Sequence, residues 1–427
     1  MKVLIISQPV LSKTNNMGKT LMGYFSTFKP SEVAQLYLRN GVPNNTERCF
    51  QYYRFSDEDA ARSIYNHKVT GTKFNEENVK DENVQTQSSA DVYKIGSKHK
   101  AWMLLLRDLM WRFSSWKNSD LLDWVKEVDP DVVFFAAGDG GFSYRIADYL
   151  AKYLNKPLVV VCMDDFFVNN RNKGELLGAI RQKLFMRTVK RTMSKAAAVF
   201  TICESMNRVY RQMFDVPCYT LHTAAARKVL EYSADANQIS YIGSVGCGRY
   251  KSLLEMGKAL FTMQSGGTPR CIDVYTGSYQ PEYIEPLKNA PGIRFHGSIS
   301  PDEVMNVMSN SMAVIHTESF EQKLMDMVRF SVSTKIAESL MYGPCLIAYG
   351  PEGIASIDYL KENNAAWTIT DTKDLKKRLK EILENSTLRE QIVRNARKLA
   401  EKNHNAEVNP KKVREWLELI IKQADPK

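Results

Sequence analysis

Short apolar runs of strand length alternate with amphipathic helical patterns along most of this chain, and no other feature constrains the fold as strongly. In the first half, strand-like runs fall at Val3–Ser7, Val132–Ala136, Leu158–Cys162, 199–203 and 218–221, with helical patterns at 102–125, 144–154 and 179–194. In the second half the runs fall at 239–242, Ile272–Tyr275, 293–296, 313–316, 345–348 and 366–369. Near-continuous apolar strands separated by helices predict parallel sheets covered on both faces. The alternation lapses at 223–237, which predicts a hinge between a domain at 1–222 and another at 238–409. A last helix is expected within 410–427. A polar stretch at about 56–100 reads as a surface excursion. Two α/β domains joined by a hinge predict a ligand cleft beyond the carboxyl ends of the strands.

The chain has 427 residues, enough for two domains of ordinary size. No apolar run approaches the roughly 18 residues of a membrane-spanning helix. The first run is too short for a signal-peptide core and ends at Gln8 and Pro9. The 7 cysteines form no C-x-x-C pair and the 6 histidines do not cluster. A reduced, cytoplasmic protein without a zinc site is therefore expected. A net charge of +10 suits anionic ligands such as nucleotide diphosphates, or an anionic membrane surface. The basic residues are spread out with no basic-aromatic module, which argues against nucleic acid.

Several segments carry residues suited to chemistry. Asn15 to Thr20 includes Gly18, Lys19 and Thr20, but Lys13 stands where a P-loop needs its earlier glycine. What remains is a loop opening a helix, with Gly18 allowing close approach. Gly138, Asp139, Gly140 and Gly141 follow a strand and precede a helix; the plainer alternative is a tight turn capped by Asp139. Asp164 and Asp165 end the next strand and do not form a D-x-D metal motif, so no metal is expected. Gly243, Gly246 and Gly248 lie in a strand–loop–helix segment whose spacing is wrong for a dinucleotide fingerprint. Arg249 and Lys251 beside that loop would suit a diphosphate.

Ser300, Pro301 and Glu303 form a capping box. A short helix runs from N-cap Ser333 to Gly343, expected in the left-handed C′ conformation, and Pro344 forbids its continuation. Ile336, Ala337, Leu340 and Met341 form its apolar arc. Glu338 sits just past the rim of that arc, with Lys335 further round.

These segments together resemble the GT-B fold of nucleotide-sugar glycosyltransferases, in particular the large, mostly retaining family that builds bacterial polysaccharides and lipid-linked glycans. The resemblance is carried by "YIGSVGCGRYKSLLEMGKAL", by the strand–helix–strand succession that follows, and by "STKIAESLMYGPCLIA". It implies two Rossmann-like domains facing a central cleft. It implies that Glu338 accepts hydrogen bonds from the donor ribose, and that Arg249 and Lys251 neutralise the donor diphosphate without a metal or other cofactor. Thr334, Lys335, Gly243, Gly246 and Gly18 complete the expected donor side. Asp139, Asp164 and Asp165 are the candidate catalytic groups on the acceptor side, for a glycan or lipid-linked acceptor. One position departs: Phe330 stands eight residues before Glu338, where many members carry a second glutamate. A nucleotide-sugar epimerase or hydrolase, or a non-catalytic nucleotide-binding relative, are the alternatives.

The helix at 180–195 places Lys183, Arg187, Lys190, Arg191 and Lys195 on one side and Phe185, Met186, Val189 and Met193 on the other. The apolar side is expected to pack on the protein's own sheet. Peripheral contact with anionic lipid at the inner face of the membrane is the alternative.

Overall fold

The computed structural model describes residues 1–12, 16–44, 47–77, 101–167, 176–230, 237–263 and 270–424. Lys13 and Asn15 of the P-loop comparison therefore lie outside the described residues, as do 78–100 of the polar stretch and 231–236 of the expected hinge. The chain forms two compact units, one of Met1–Leu221 with Val408–Lys427, the other of His222–Glu407.

The first unit runs β1 (Val3–Ser7), α1 (Asn16–Tyr24), β2 (Val33–Tyr37), β3 (Gln51–Arg54), α2 (Asp57–Tyr65), β4 (Thr72–Phe74), α3 (Ala101–Phe113), α4 (Ser119–Val128), β5 (Val132–Ala136), α5 (Gly141–Leu154), β6 (Leu158–Cys162), α6 (Leu176–Met193), β7 (Ala198–Thr201), α7 (Glu204–Phe214) and β8 (Cys218–Thr220). Its sheet has the order β4-β3-β2-β1-β5-β6-β7-β8. Every pair is parallel except β3 with β4. Strand order reverses at β1, so β1 and β5 flank a switch point, where ligands bind in open parallel sheets. All residues of β1, β5 and β6 are buried, as strands covered on both faces must be.

Three expectations for this unit are corrected. The stretch from residue 56 is not an excursion at its start: Ser56 caps α2 reciprocally with Asp59, both are buried, and β4 extends the sheet. The single helix expected at 102–125 is two, because Asn118 accepts from the Leu121 amide and starts a new helix. Strands β2 and β3 were not anticipated. Gln35 interrupts the apolar run of β2, yet it is fully buried because its amide bonds to Ser7 Oγ (2.7 Å), Pro9 O (3.1 Å) and the Leu11 N–H (2.9 Å).

The second unit runs β9 (Gln238–Ile242), α8 (Arg249–Phe261), β10 (Ile272–Tyr275), α9 (Pro281–Lys288), β11 (Ile293–Gly297), α10 (Pro301–Ser309), β12 (Ser311–Thr317), α11 (Gln322–Val328), α12 (Thr334–Tyr342), β13 (Cys345–Tyr349), α13 (Ala355–Glu362), β14 (Trp367–Ile369), α14 (Leu375–Glu384) and α15 (Ser386–Asn403). Its wholly parallel sheet has the order β11-β10-β9-β12-β13-β14 and reverses between β9 and β12. The capping box is present: Ser300 N donates to Glu303 Oε2 at 2.7 Å, and Glu303 N to Ser300 Oγ at 3.3 Å. The described part of the expected hinge is pinned within this unit, since Ala225 N donates to His404 O at 2.8 Å.

The last helix, α16 (Asn409–Ala424), returns to the first unit. Val413, Leu417 and Ile420 share a buried cluster with Val3, Phe25, Phe134 and Phe200. Arg414 lies 4.0 Å above the Phe28 ring and bonds Glu32 at 2.8 Å. Burying three such apolar side chains contributes on the order of 1.5–3 kcal/mol each.

Candidate functional site

In a parallel sheet every strand ends on the same rim, and the helix after a strand starts there. The second unit's rim therefore gathers the loop 243–248 after β9, Glu318 to Glu321 after β12, and the first turn of α12.

The α12 segment is built as its residues dictate. Ser333 Oγ accepts from Lys335 N at 3.3 Å, and Ile336, Ala337, Leu340 and Met341 are all buried. Gly343 is corrected: its φ is −72° and ψ 167°, not left-handed. It is glycine for space, because a Cβ would lie 2.7 Å from Ser339 O. Thr334 is exposed. Lys335 Nζ bonds Glu338 Oε2 at 3.0 Å, with the two side chains 43% and 27% exposed. Such a pair opens at a cost of about 0–1 kcal/mol, so both groups are available to a ligand.

Arg249 is held differently. Its Nε and Nη2 donate to Glu318 Oε2 and Oε1 at 3.0 and 2.9 Å, and the Glu318 side chain is 1% exposed. Burial pushes the Glu318 carboxyl up, opposed by the Arg249 guanidinium. His316, also buried, is driven down to about 3 by desolvation and then by Arg249, so it is neutral; its Nε2 lies 3.0 Å from Ser356 Oγ. The pair carries little net charge, and only the Arg249 Nη1 lies outside the fork. Lys251 likewise pairs with Glu321, at the surface. All three cations singled out in this unit are thus tied to acids. Glu318 was not among the site residues expected from the sequence; its position directly after the β12 run was the available signal.

The glycine loop serves itself. The first-turn amides of Arg249, Tyr250 and Lys251 donate to Gly246 O, Val245 O and Gly248 O at 3.2, 3.1 and 3.0 Å. Gly243 N donates to Tyr275 O, and Gly246 N to Ser244 Oγ. Gly248 has φ +77°, and a Cβ there would lie 2.6 Å from Ser319 Oγ. These glycines set the path of the loop and leave few amides for a phosphate. Phe330 is buried, with Arg329 over its ring at 5.0 Å.

The first unit's rim is of another kind. Asp165 is buried, and its Oδ1 accepts from Tyr210 OH at 2.9 Å and Phe167 N at 3.0 Å; Asp164 Oδ1 accepts from Asp165 N at 2.8 Å. Asp139 does not cap α5. Gly140 is the N-cap residue, and Asp108 of α3 accepts from Phe142 N at 3.2 Å instead. Arg181 donates to the Asp139 carbonyl at 2.5 Å. A Cβ on Gly18 would lie 2.7 Å from Val10 O, so that glycine lets α1 press on the loop after β1.

A residue missed in the sequence is Gln8, directly after β1. It is 4% exposed, and a Cβ on Gly138 would lie 2.5 Å from its Nε2. Its Oε1 and Nε2 have no hydrogen-bond partner among the described residues. A buried unpaired amide costs about 1–3 kcal/mol, and in a native protein it calls for a ligand or an ordered water. The only signal was a polar residue between an apolar strand and Pro9.

The paired α/β units with these rims define the GT-B architecture. Residues 266–415 match the family model described as glycosyl transferase-like, a span that includes Glu318, Lys335 and Glu338. Among solved structures, HepE of Anabaena in complex with UDP is 10% identical, with TM-score 0.64, over 98% of this chain and 100% of that one. Sucrose-phosphate synthase of Thermosynechococcus elongatus is 10% identical, with TM-score 0.62, over 99% and 100%. The UDP-forming trehalose-phosphate synthase of Burkholderia xenovorans, in complex with glucose-6-phosphate, is 8% identical, with TM-score 0.60, over 98% and 100%. A search of curated proteins found no match.

Proposed function

We propose that this protein is a metal-independent, retaining hexosyltransferase that moves a sugar from a nucleotide diphosphate donor to a hydroxyl of a glycan or lipid-linked acceptor in the cytoplasm. The observation that carries this reading is the half-exposed Lys335–Glu338 pair in the N-terminal half of α12, within the segment that is glycosyl transferase-like. Structures with the same fold were solved with UDP, UDP-glucose and glucose-6-phosphate.

An incoming donor exchanges partners with the pair. The Glu338 carboxylate takes the two ribose hydroxyls, and Lys335 with the Thr334 hydroxyl takes the diphosphate. Arg249, oriented by Glu318, offers Nη1 to the leaving phosphate, and Lys251 adds charge at the surface. Gly243 and Gly246 let the backbone come close. On the acceptor side, Gln8 hydrogen-bonds a sugar hydroxyl. Asp165 shapes its loop through Tyr210 and Phe167, Asp164 and Asp139 meet the acceptor, and Gly18 holds the neighbouring loop.

A thermal-shift screen of nucleotide diphosphates and their sugars, repeated on Glu338→Ala and joined to a transfer assay, tests this. Stabilisation of the wild type that the variant loses, with an unchanged unliganded melting point, is expected. Binding without turnover across acceptors would favour a non-catalytic relative, a reading that the locked Arg249 supports. Release of free nucleotide without any acceptor would favour a hydrolase or epimerase.

A further inference from the structure

The first unit exposes large apolar side chains on two neighbouring helices. On α3 these are Trp102 (49% exposed), Leu106 (54%), Leu109 (47%) and Phe113 (66%). Their spacing of four, three and four residues makes a single helical stripe. On α6 they are Leu177 (49%), Ile180 (45%) and Leu184 (49%), again one face.

The two stripes look outward together. Trp111 of α3 stacks on Phe142 of α5 at 4.4 Å, and Phe185 of α6 meets Tyr144 of α5 at 5.7 Å. Both helices thus turn their opposite, buried sides to α5. The apolar side expected for the 180–195 helix does pack inward, since Phe185, Val189 and Met193 are buried. The exposed apolar set is a different one.

Charge selects the occupant. Along the exposed face of α6 the residues change from apolar to basic, with Lys183, Arg187, Lys190 and Arg191 all exposed. Arg112 is exposed on α3. Neither helix carries an acidic residue except Asp108, which faces inward onto α5. Among the described residues no helix is long and apolar enough to cross a membrane, so contact would be by a face.

We propose that the α3–α6 face is a docking surface for an anionic lipid bilayer. Trp102, Leu106, Leu109, Phe113, Ile180 and Leu184 enter the headgroup boundary, and the α6 cations meet lipid phosphates. Apolar burial and attraction to anionic headgroups both contribute, so binding is salt-dependent. The inference does not depend on the proposed transfer reaction.

Flotation with phosphatidylglycerol-containing and pure phosphatidylcholine vesicles tests it on the full chain. At low salt the anionic vesicles are expected to retain at least tenfold more protein, and added salt to reduce that excess. Leu106→Glu with Ile180→Glu, and separately Lys183→Ser with Arg187→Ser, each lower retention about tenfold while melting temperature holds. Brominated lipid quenches wild-type tryptophan fluorescence, and Trp102→Phe removes the quenching. No retention at low salt, retention indifferent to both double variants, or quenching that survives Trp102→Phe overturns the proposal. So does a wild-type dimer in sedimentation equilibrium that the apolar double variant makes monomeric without any vesicle binding, since the face then joins two copies of this chain.

Discussion

The rims of the two sheets solve the same placement problem with opposite chemistry. In the second unit the singled-out rim cations are already matched by acids: Arg249 by Glu318, Lys251 by Glu321, Lys335 by Glu338. In the first, the buried Gln8 amide has no partner among the described residues, and Asp165 is occupied by its own neighbours. A charged rim must hold its charges in pairs until an anion arrives. A neutral amide can wait unpaired, at the smaller cost of a lost hydrogen bond. Exposure then separates the pairs. Lys335–Glu338 opens readily, whereas breaking Arg249–Glu318 would leave a buried charge alone.

The largest effect should come from that buried pair. Glu318→Ala should destabilise the second unit by about 3 kcal/mol, read as an earlier urea transition, because Arg249, only 19% exposed, loses its counter-charge. A loss under about 1 kcal/mol would make the two pairs equivalent and erase the contrast. Glu338→Ala should do the reverse: stability within about 1 kcal/mol of wild type, but donor affinity weaker by about 1.5–3 kcal/mol, roughly 10- to 150-fold by calorimetry. Gln8→Leu should sharpen the difference between rims. It removes an unsatisfied amide, so the melting point should hold or rise by the equivalent of about 1 kcal/mol, while transfer falls at least tenfold.

The last effect is in pH. His316 and His404 are held by burial at about 3 and about 4, against 6.5 for an ordinary histidine. The unfolded chain therefore binds more protons below pH 6.5. Stability should be complete above that value and fall as pH drops, approaching about 1.4 kcal/mol per pH unit for each histidine. Around His316 stand Arg249 and Glu318; around His404, the Thr223 carbonyl, Tyr359 and His222. Glu318 opposes the trend, because its raised pKa lets the folded state take up a proton before the unfolded chain does. The cleanest window is therefore pH 5 to 6.5, and His316→Asn should flatten the slope there.

The strands most fully legible in the sequence are those buried along their whole length. Val3–Ser7, Val132–Ala136 and Leu158–Cys162 match residue for residue, because a nearly unbroken apolar run leaves no ambiguity of period, and Ile272–Tyr275 matches despite Asp273. Strand β2 hid behind Gln35, whose amide is satisfied by backbone far away in sequence, and β3 behind Tyr52 and Tyr53 between polar ends. The break between α3 and α4 was hidden because apolar spacing continues through it. At the site, residue types were legible and pairings were not. Arg249 and Glu318 meet only because β9 and β12 are neighbours in the sheet, a fact of topology rather than of local pattern. Gln8 could not be singled out, since a polar residue after a strand is ordinary until its surroundings close over it.

The return of α16 to the first unit has a consequence for biogenesis. That unit is discontinuous in sequence, so on the ribosome it cannot fill the space taken by Val413, Leu417 and Ile420 until the whole second unit has been translated. The unit that starts first is finished last, and a fragment cut at the obvious boundary near residue 222 should leave an open seam where a chaperone or an aggregate can enter.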